Sequence, residues 1–301
     1  MSVTPVDAGV PHEIARRIRT GGAVLDLALA HEIYRPLLEQ QPRDGVVVTR
    51  DHAYGNDSRH RLDVYQPADG AVGRPIMVFL HGGGFVRGDK ANRENVGQFF
   101  ARHGLNIIVP NYRLAPDHHW PAGAEDVIAV YRWTLQRRDL FGRGVETIYL
   151  AGESAGAAHV ATACLLRRFH PTEGLQIAGA ALISGVYNVH LEKLARRQFG
   201  VATPDPRNEA YFGSQFDRYP QMSTVDLIDA RPFRLFISFA ELDLLQMQVQ
   251  AAELFARLVC QHGFDPELRV IRDHNHLTQV QGINTGDSSL TGPLLAFMGM
   301  S

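Results

Sequence analysis

The spacing of hydrophobic residues changes along the chain, and each change predicts a different kind of element. In residues 12–40 apolar side chains recur every three to four or every seven positions, which predicts a helical N-terminal segment. The stretches 46–54 and 60–67 are rich in strand-forming residues, and Gly55-Asn56 between them predicts an antiparallel hairpin. The chain therefore begins with helix and continues with two paired strands.

The remainder of the chain alternates short apolar runs with longer amphipathic stretches. These runs are continuously apolar, which is typical of strands buried on both faces in a parallel sheet. Strands are predicted over 75–82, 105–112, 147–152, 177–187, 233–240 and 267–273. Helices are predicted over 91–103, 123–138, 155–169, 246–262 and 288–298. This order indicates an α/β fold with a mostly parallel mixed sheet and helices on both faces.

One connection interrupts this alternation. About 45 residues separate the predicted strand that ends near Tyr187 from the next, which starts near Phe233. A loop of that length is rarely structureless inside a compact domain. We therefore expect a single domain over 1–301, in which the N-terminal segment 1–44 and the insertion 188–230 form a helical cap. The aromatic side chains of the insertion either line a substrate pocket or pack within the cap.

Composition and charge narrow the classes of protein to which the chain can belong. It has 30 basic and 32 acidic side chains, so it lacks the basic excess typical of proteins that bind nucleic acid or anionic membranes. No run of 18 apolar residues predicts a membrane span. Asp26 interrupts the apolar stretch after Arg16 and Arg17, which argues against a signal peptide and favours a cytoplasmic location. Cys164 and Cys260 lie in apolar, helix-like stretches and are expected to be buried.

Gly152-Glu153-Ser154-Ala155-Gly156 is the strongest chemical signal in the chain. This pentapeptide joins the predicted strand 147–152 to the predicted helix 155–169. A serine on a sharp strand-to-helix turn needs neighbours without Cβ atoms, and the helix N-terminus presents free N–H groups to a reacting centre. A glycine-rich turn with an incidental serine is the alternative, but the strand and helix on either side favour Ser154 as a nucleophile.

A second glycine-rich motif, His81-Gly82-Gly83-Gly84, stands at the end of the predicted strand 75–82. Three successive glycines cost conformational entropy, so they need a physical reason. A phosphate loop is one possibility, but the pattern G-x-x-x-x-G-K-[ST] is absent. A backbone that approaches a ligand closely and donates N–H groups to a developing oxyanion explains the glycines better.

An acid that orients the catalytic base should follow the nucleophile at the end of a later strand. The apolar run 233–240 leads directly into Glu241-Leu242-Asp243. Asp243 is the preferred candidate because it lies further into the loop, and Glu241 is the next. Asp273 and Asp265 are weaker candidates.

The base should be a histidine in the loop after the last strand. The strand 267–273 leads into His274-Asn275-His276, and either histidine could take this role. The pair could instead bind zinc with His118 and His119. The dense pattern of acidic and histidine ligands found in binuclear hydrolases is missing, so neither a metal nor another cofactor is expected.

Together these motifs resemble those of α/β-hydrolases, and within that fold the hormone-sensitive-lipase-like carboxylesterases. The resemblance covers about residues 45–300. It rests on HGGGFVRGDK (81–90), NYRLAPDHHWPAGAEDV (111–127), GESAG (152–156), ELD (241–243) and DHNH (273–276). It implies Ser154 as nucleophile, Asp243 as acid and His276 as base. The family usually has Gly three residues before this histidine, whereas this chain has Asp273, which keeps His274 as an alternative.

The resemblance also implies how the two glycine motifs cooperate. The N–H groups of Gly83, Gly84 and Ala155 would form an oxyanion hole. The implied supporting residues are His81, Gly82 and Glu153.

The function implied is a serine carboxylesterase that hydrolyses small carboxylic esters through an acyl-enzyme intermediate, with homodimers common in the family. One alternative is an amidase or arylformamidase, which YGNDSRHRLDVYQP and LISGVY resemble. An aromatic residue typically interrupts HGGG in that branch, whereas Gly84 keeps the motif intact here. The other alternative is a non-catalytic hydrolase fold that binds a small ligand, but such proteins lose the histidine that this chain retains.

Overall fold

A central mixed sheet organises the described residues, which are 9–23, 25–142, 147–192 and 206–300 of the computed structural model. Its eight strands lie in the order β1-β2-β4-β3-β5-β6-β7-β8. They are β1 (Val46–Ala53), β2 (Arg61–Pro67), β3 (Ile76–Leu80), β4 (Asn106–Pro110), β5 (Ile148–Glu153), β6 (Gly179–Ile183), β7 (Leu235–Leu242) and β8 (Glu267–Asn275). β2 runs antiparallel to β1 and to β4, and the other neighbouring strands pair in parallel, which confirms the predicted hairpin and the mostly parallel sheet.

Helices cover both faces of this sheet, as the alternating pattern predicted. They are α1 (His12–Gly21), α2 (Leu27–Glu39), α3 (Glu94–Arg102), α4 (Ala122–Gln136), α5 (Arg138–Phe141), α6 (Ala155–Leu165), α7 (Pro206–Phe212), α8 (Thr224–Leu227), α9 (Leu245–His262), α10 (Thr278–Gln281) and α11 (Thr291–Phe297). Successive side chains of a strand point to opposite faces. Val78 of β3 therefore belongs to the core cluster that includes residues of α4, α6 and α9, whereas Met77 and Phe79 belong to the cluster that includes residues of α3 and α11.

The N-terminal segment differs from the single helix expected over 12–40. The chain forms α1 and α2 instead, with a turn at Gly22, whose φ of 63° is in the left-handed region. The Asp26 carboxylate accepts a hydrogen bond from the Leu29 N–H and caps the second helix. The apolar spacing continues through both helices because Ile18 of α1 and Ile33 and Tyr34 of α2 pack into one apolar cluster, so the spacing concealed the break.

The insertion between β6 and β7 contains helical structure in its described part. It includes α7, a 3₁₀ helix over Phe216–Met222 and α8, while residues 193–205 lie outside the described residues. Tyr211 and Phe212 pack against Phe85 beside the second glycine motif. The rings of Phe85 and Tyr211 stack at 4.7 Å between centroids, so this part of the insertion packs against the loop that follows the glycine motif.

The two cysteines differ in environment, contrary to expectation. Cys164 is buried in α6, whereas Cys260 is exposed on α9. The apolar run around Cys260 belongs to an amphipathic helix, and this position falls on its outer side. In the part of the chain that the structure describes, no helix has the length and apolar character needed to span a bilayer.

Candidate active site

Ser154 occupies a sharp turn between β5 and α6. Its φ of 51° and ψ of −119° are strained for a residue with a side chain. A Cβ on Gly152 would lie 2.5 Å from the carbonyl carbon of Gly156, and a Cβ on Gly156 would lie 2.7 Å from the His81 oxygen. Both glycines are therefore sterically required for the turn that presents the serine.

Ser154, His276 and Asp243 form one hydrogen-bonded chain. The Ser154 hydroxyl lies 3.0 Å from His276 Nε2, and His276 Nδ1 lies 2.8 Å from Asp243 Oδ1. With Nδ1–H donating to the carboxylate, Nε2 is left to accept the serine proton. The structure thus brings together the nucleophile, base and acid candidates in the geometry of a serine hydrolase triad.

Ser184 and Gln279 extend this chain behind the acid. The Ser184 hydroxyl donates to Asp243 Oδ2 at 2.5 Å, and Gln279 Nε2 donates to Ser184 Oγ at 2.7 Å. The Leu244 N–H donates to Asp243 Oδ1 at 2.9 Å. Sequence reasoning missed both side chains, although Ser184 is the one polar residue in the apolar run 177–187.

The electrostatic environment favours the protonated form of His276. Burial alone would lower its pKa, but the negative charge of Asp243 and the hydrogen bond to it act in the opposite direction. The charges of Glu153 and Glu192 add to this effect. The pKa of His276 is consequently raised above its ordinary value, which suits a base that must hold a proton during the reaction.

The second glycine motif forms a tightly folded loop beside Ser154. Gly83 and Gly84 have φ values of 143° and 61°. A Cβ on Gly83 would overlap the carbonyl group of Arg87, so no other residue fits at this position without a shift of the loop. Gly82, Gly83 and Gly84 line the same cavity as Ser154 and His276. The motif therefore lies where its backbone can meet a substrate bound at the serine.

Glu153 holds this loop against the serine turn. Its carboxylate accepts a 2.9 Å hydrogen bond from the Gly82 N–H and forms a buried ion pair with Arg93. On the other side, His81 Nδ1 donates to the Gly82 oxygen at 2.7 Å, and the Tyr112 hydroxyl donates to the His81 oxygen at 2.8 Å. Burial lowers the pKa of His81 to about 4, so its ring is neutral and acts as a structural donor.

The alternative acid and base candidates have other partners. Glu241 accepts a hydrogen bond from the Asp273 N–H at 2.9 Å, and the Asp273 carboxylate pairs with Arg19 of α1 at 2.5 Å. His274 is fully buried, with Nε2 lying 2.8 Å from Asp287 Oδ2. These contacts place the three candidates in the support around the site, away from the Ser154 hydroxyl.

The residues considered for a metal site are also separated. His118 pairs with Asp57 at 3.2 Å, and His119 Nδ1 donates to the Ala210 oxygen at 2.8 Å. Asp265, the remaining acid candidate, is exposed before β8. Within the described ranges, no cluster of three or more His, Cys, Asp or Glu side chains could hold a metal ion.

Two cavities meet at Ser154 and His276. The larger, about 190 Å³, extends along the glycine loop toward Leu27 and His31 of α2. The smaller, about 50 Å³, has a mixed lining, in which apolar side chains such as Phe85, Val186 and Met247 alternate with polar ones such as Asn208 and Gln246. A substrate whose reacting carbonyl lies at Ser154 can therefore place one substituent in each cavity.

Comparisons with known proteins agree with this geometry. A family model described as alpha/beta hydrolase fold matches residues 77–280. An acetyl esterase from Salmonella schwarzengrund is 34% identical over 174 residues, which are 55% of this chain and 52% of that protein. The chain thus spans about half the length of the curated relatives it matches.

Solved structures share the whole fold at low sequence identity. Esterase B from Lactobacillus rhamnosis has a TM-score of 0.71 at 16% identity, with 96% of this chain and 95% of that chain covered. A hyperthermophilic esterase from Pyrobaculum calidifontis has a TM-score of 0.71 at 21% identity, with 98% and 100% covered. Fold, site and family model together define the class: this chain belongs to the α/β-hydrolase fold family, as its motifs indicated.

Proposed function

We propose that this protein is a serine carboxylesterase of the hormone-sensitive-lipase-like group that hydrolyses small carboxylic esters. The observation that carries the proposal is the unbroken hydrogen-bonded chain from Ser154 through His276 to Asp243. The relatives named acetyl esterase and the esterase structures of the same fold support it.

Ser154 attacks the ester carbonyl while His276 Nε2 accepts the hydroxyl proton. Asp243 holds the imidazole and stabilises its positive charge. The tetrahedral oxyanion is placed toward the N–H groups of Gly83, Gly84 and Ala155, and each donor contributes on the order of 3 kcal/mol to lowering the barrier.

The proton on His276 then passes to the leaving alkoxide, the carbon–oxygen bond breaks and an acyl-serine remains. A water molecule adds to this acyl group as His276 accepts its proton. The carboxylic acid leaves and the serine hydroxyl is restored.

We assign the short acyl group to the smaller cavity and the alcohol part to the larger one. A volume of about 50 Å³, bounded in part by Phe85, Val186 and Met247, suits an acyl group of a few carbons. Catalytic efficiency should therefore fall from p-nitrophenyl acetate or butyrate to the octanoate. Met247→Ala, which enlarges the cavity, should shift the preference toward longer acyl groups. An undiminished rate with the octanoate in the unaltered protein would contradict the assignment.

We propose that α1, α2 and the insertion form the cap over this site. Leu25, Leu27 and His31 of the N-terminal segment and Arg207 of α7 line the larger cavity, which supports that role.

Covalent labelling tests the proposed nucleophile directly. A fluorophosphonate probe should label the protein at Ser154, and Ser154→Ala should remove the label and lower kcat about 10⁴-fold or more. Ser214→Ala at an exposed serine should leave both unchanged. Retained labelling in Ser154→Ala would reject the assignment.

A paired assay tests the bond that is cleaved. We expect p-nitrophenyl butyrate to be hydrolysed faster than N-formylkynurenine. The reverse order would support the arylformamidase alternative, and tight ester binding without turnover would support the non-catalytic one.

A further inference from the structure

A buried side chain at the smaller cavity has unused hydrogen-bonding capacity. Gln246 lines this cavity together with Ser154 and His276. It is 3% exposed, and within the described ranges its Oε1 atom has no hydrogen-bond partner. A buried amide oxygen without a partner costs free energy, so its presence in a folded protein calls for an explanation. A ligand that supplies the missing hydrogen bond provides one.

Gln246 is held in a fixed place relative to the triad. It lies in the first turn of α9, shortly after Asp243. The Gln248 Nε2 atom donates to the Asp243 backbone oxygen at 3.0 Å, which ties the start of this helix to the loop of the proposed acid. A cavity of about 50 Å³ holds only a few heavy atoms, so an acyl group bound in it lies next to the Gln246 amide.

Asn208 of α7 adds a second carboxamide to the same lining. It is 8% exposed, and its Nδ2 atom donates to Glu192 Oε2 at 3.1 Å. That bond occupies the amino end of the amide, and in the described part of the chain no group donates to its carbonyl oxygen. The Glu192 carboxylate is itself engaged, since it also accepts a hydrogen bond from Gln250 Nε2 at 2.6 Å. The capacity that Gln246 and Asn208 retain therefore belongs to neutral amides.

We infer that the acyl group preferred by this protein is short and carries a hydroxyl, as in an ester of 3-hydroxybutyrate. A carboxamide has an acceptor at one end and a donor at the other, and rotation about its last torsion turns either end toward a ligand. A hydroxyl matches both ends because it donates and accepts. An ammonium group would need a carboxylate to offset its lost hydration, which neutral amides do not provide.

Gln246 is then a specificity-determining residue. The inference rests on the proposed esterase function and on the acyl group lying in the smaller cavity.

Two esters that differ only in a hydroxyl and a methyl group of similar size provide the test. Hydrolysis of p-nitrophenyl 3-hydroxybutyrate, with each enantiomer assayed separately, is compared with that of p-nitrophenyl 3-methylbutanoate. Each kcat/KM is divided by the rate constant for hydroxide-catalysed hydrolysis, which removes the difference in intrinsic reactivity. The unaltered protein should prefer one hydroxy enantiomer by roughly fivefold to tenfold, the range expected for one or two neutral hydrogen bonds.

Gln246→Met keeps an unbranched side chain of similar length and removes the amide. The preference should fall about fivefold or more, because the substrate hydroxyl loses this partner. The melting temperature should stay the same or rise, because the amide oxygen has no hydrogen bond within the described residues to lose. Gln261→Met makes the same substitution at an exposed position of α9 that does not line the cavity, so it should leave the preference unchanged.

The outcomes separate this inference from the proposed function. If the unaltered protein cleaves the methyl ester analogue as well as both hydroxy enantiomers, or if Gln246→Met leaves the preference unchanged, the inference is wrong and the esterase function stands. A lower melting temperature in Gln246→Met, with both esters slowed equally, would show a structural role and would also overturn it. If neither ester is cleaved in a manner that depends on Ser154, the proposed function fails and the inference fails with it.

Discussion

Glu153 provides the sharpest test of how the two glycine motifs are held together. Its side chain is 8% exposed, and that of its partner Arg93 is 11% exposed. Glu153→Gln keeps an oxygen that can accept the Gly82 N–H but removes the charge, so Arg93 is left in a mostly buried position without its carboxylate. Removing one member of a buried ion pair costs about 3 kcal/mol or more.

This cost translates into a measurable shift of the melting temperature. A chain of 301 residues has an unfolding entropy of about 0.6 kcal/mol/K, so a loss of about 3 kcal/mol lowers Tm by about 5 °C. Differential scanning calorimetry gives this value directly. Glu94→Gln is the matched control, because Glu94 is 45% exposed and pairs with Arg50 at the surface. Such a pair contributes at most about 1 kcal/mol, so the control should shift Tm by about 2 °C or less.

The same substitution should change the pH dependence of catalysis. The negative charge of Glu153 helps to raise the pKa of His276. Its removal should lower that pKa, so the acid limb of the kcat/KM profile should move to lower pH. A double variant, Arg93→Gln with Glu153→Gln, removes both charges and should be more stable than the sum of the single losses predicts. The reasoning is refuted if Glu153→Gln lowers Tm no more than the control does, or if the acid limb stays in place.

Other predictions concern the support of the acid and base. Ser184→Ala should lower kcat/KM about tenfold, because Asp243 loses one charge-assisted hydrogen bond; steady-state kinetics measures this, and an unchanged value would contradict a positioning role. The kcat/KM of the unaltered protein should rise with pH through an acid limb above 6.5, since the pKa of His276 is raised. Asp243→Asn should cut kcat about 10⁴-fold. Asp273→Gly should change the free energy of unfolding in urea by less than about 1 kcal/mol. Glycine relieves the backbone strain at this positive φ, which offsets the lost ion pair with Arg19. A loss of several kcal/mol would show that the ion pair contributes more to stability than its exposure suggests.

The sequence was most informative where function depends on local backbone geometry. The pentapeptide around Ser154 specifies a strand, a strained turn and a helix within a few residues, and its glycines are the positions where a Cβ would collide. In the same way, the glycines that follow His81 indicate a place where the backbone packs closely against its surroundings. The chain order of nucleophile, acid and base follows from the ends of successive strands, so the candidates could be located before any distance was known.

The sequence was least informative where function depends on contacts between distant segments. Gln279 meets Ser184 across 95 positions, and nothing in the local pattern around either residue predicts that hydrogen bond. Arg207 follows a stretch with no recognisable motif, and only the fold places it against Gly84. The break between α1 and α2 was missed for a related reason, because tertiary packing brings buried residues of both helices into one apolar cluster.

Asp273 shows how a departure from a family pattern can be understood once the fold is known. The position has a φ of 60°, which explains why glycine is usual three residues before the histidine. Aspartate accepts this strain here, and its carboxylate pairs with Arg19 while its N–H donates to Glu241. Glu241 and Asp273 lie next to the strand ends that carry the proposed acid and base. Arg19 therefore anchors α1 to both of these loops, since it also reaches Glu241 at 3.4 Å. Asp273, whose departure from the family pattern kept both His274 and His276 as candidate bases, is therefore part of the contact that joins the N-terminal helices to the site.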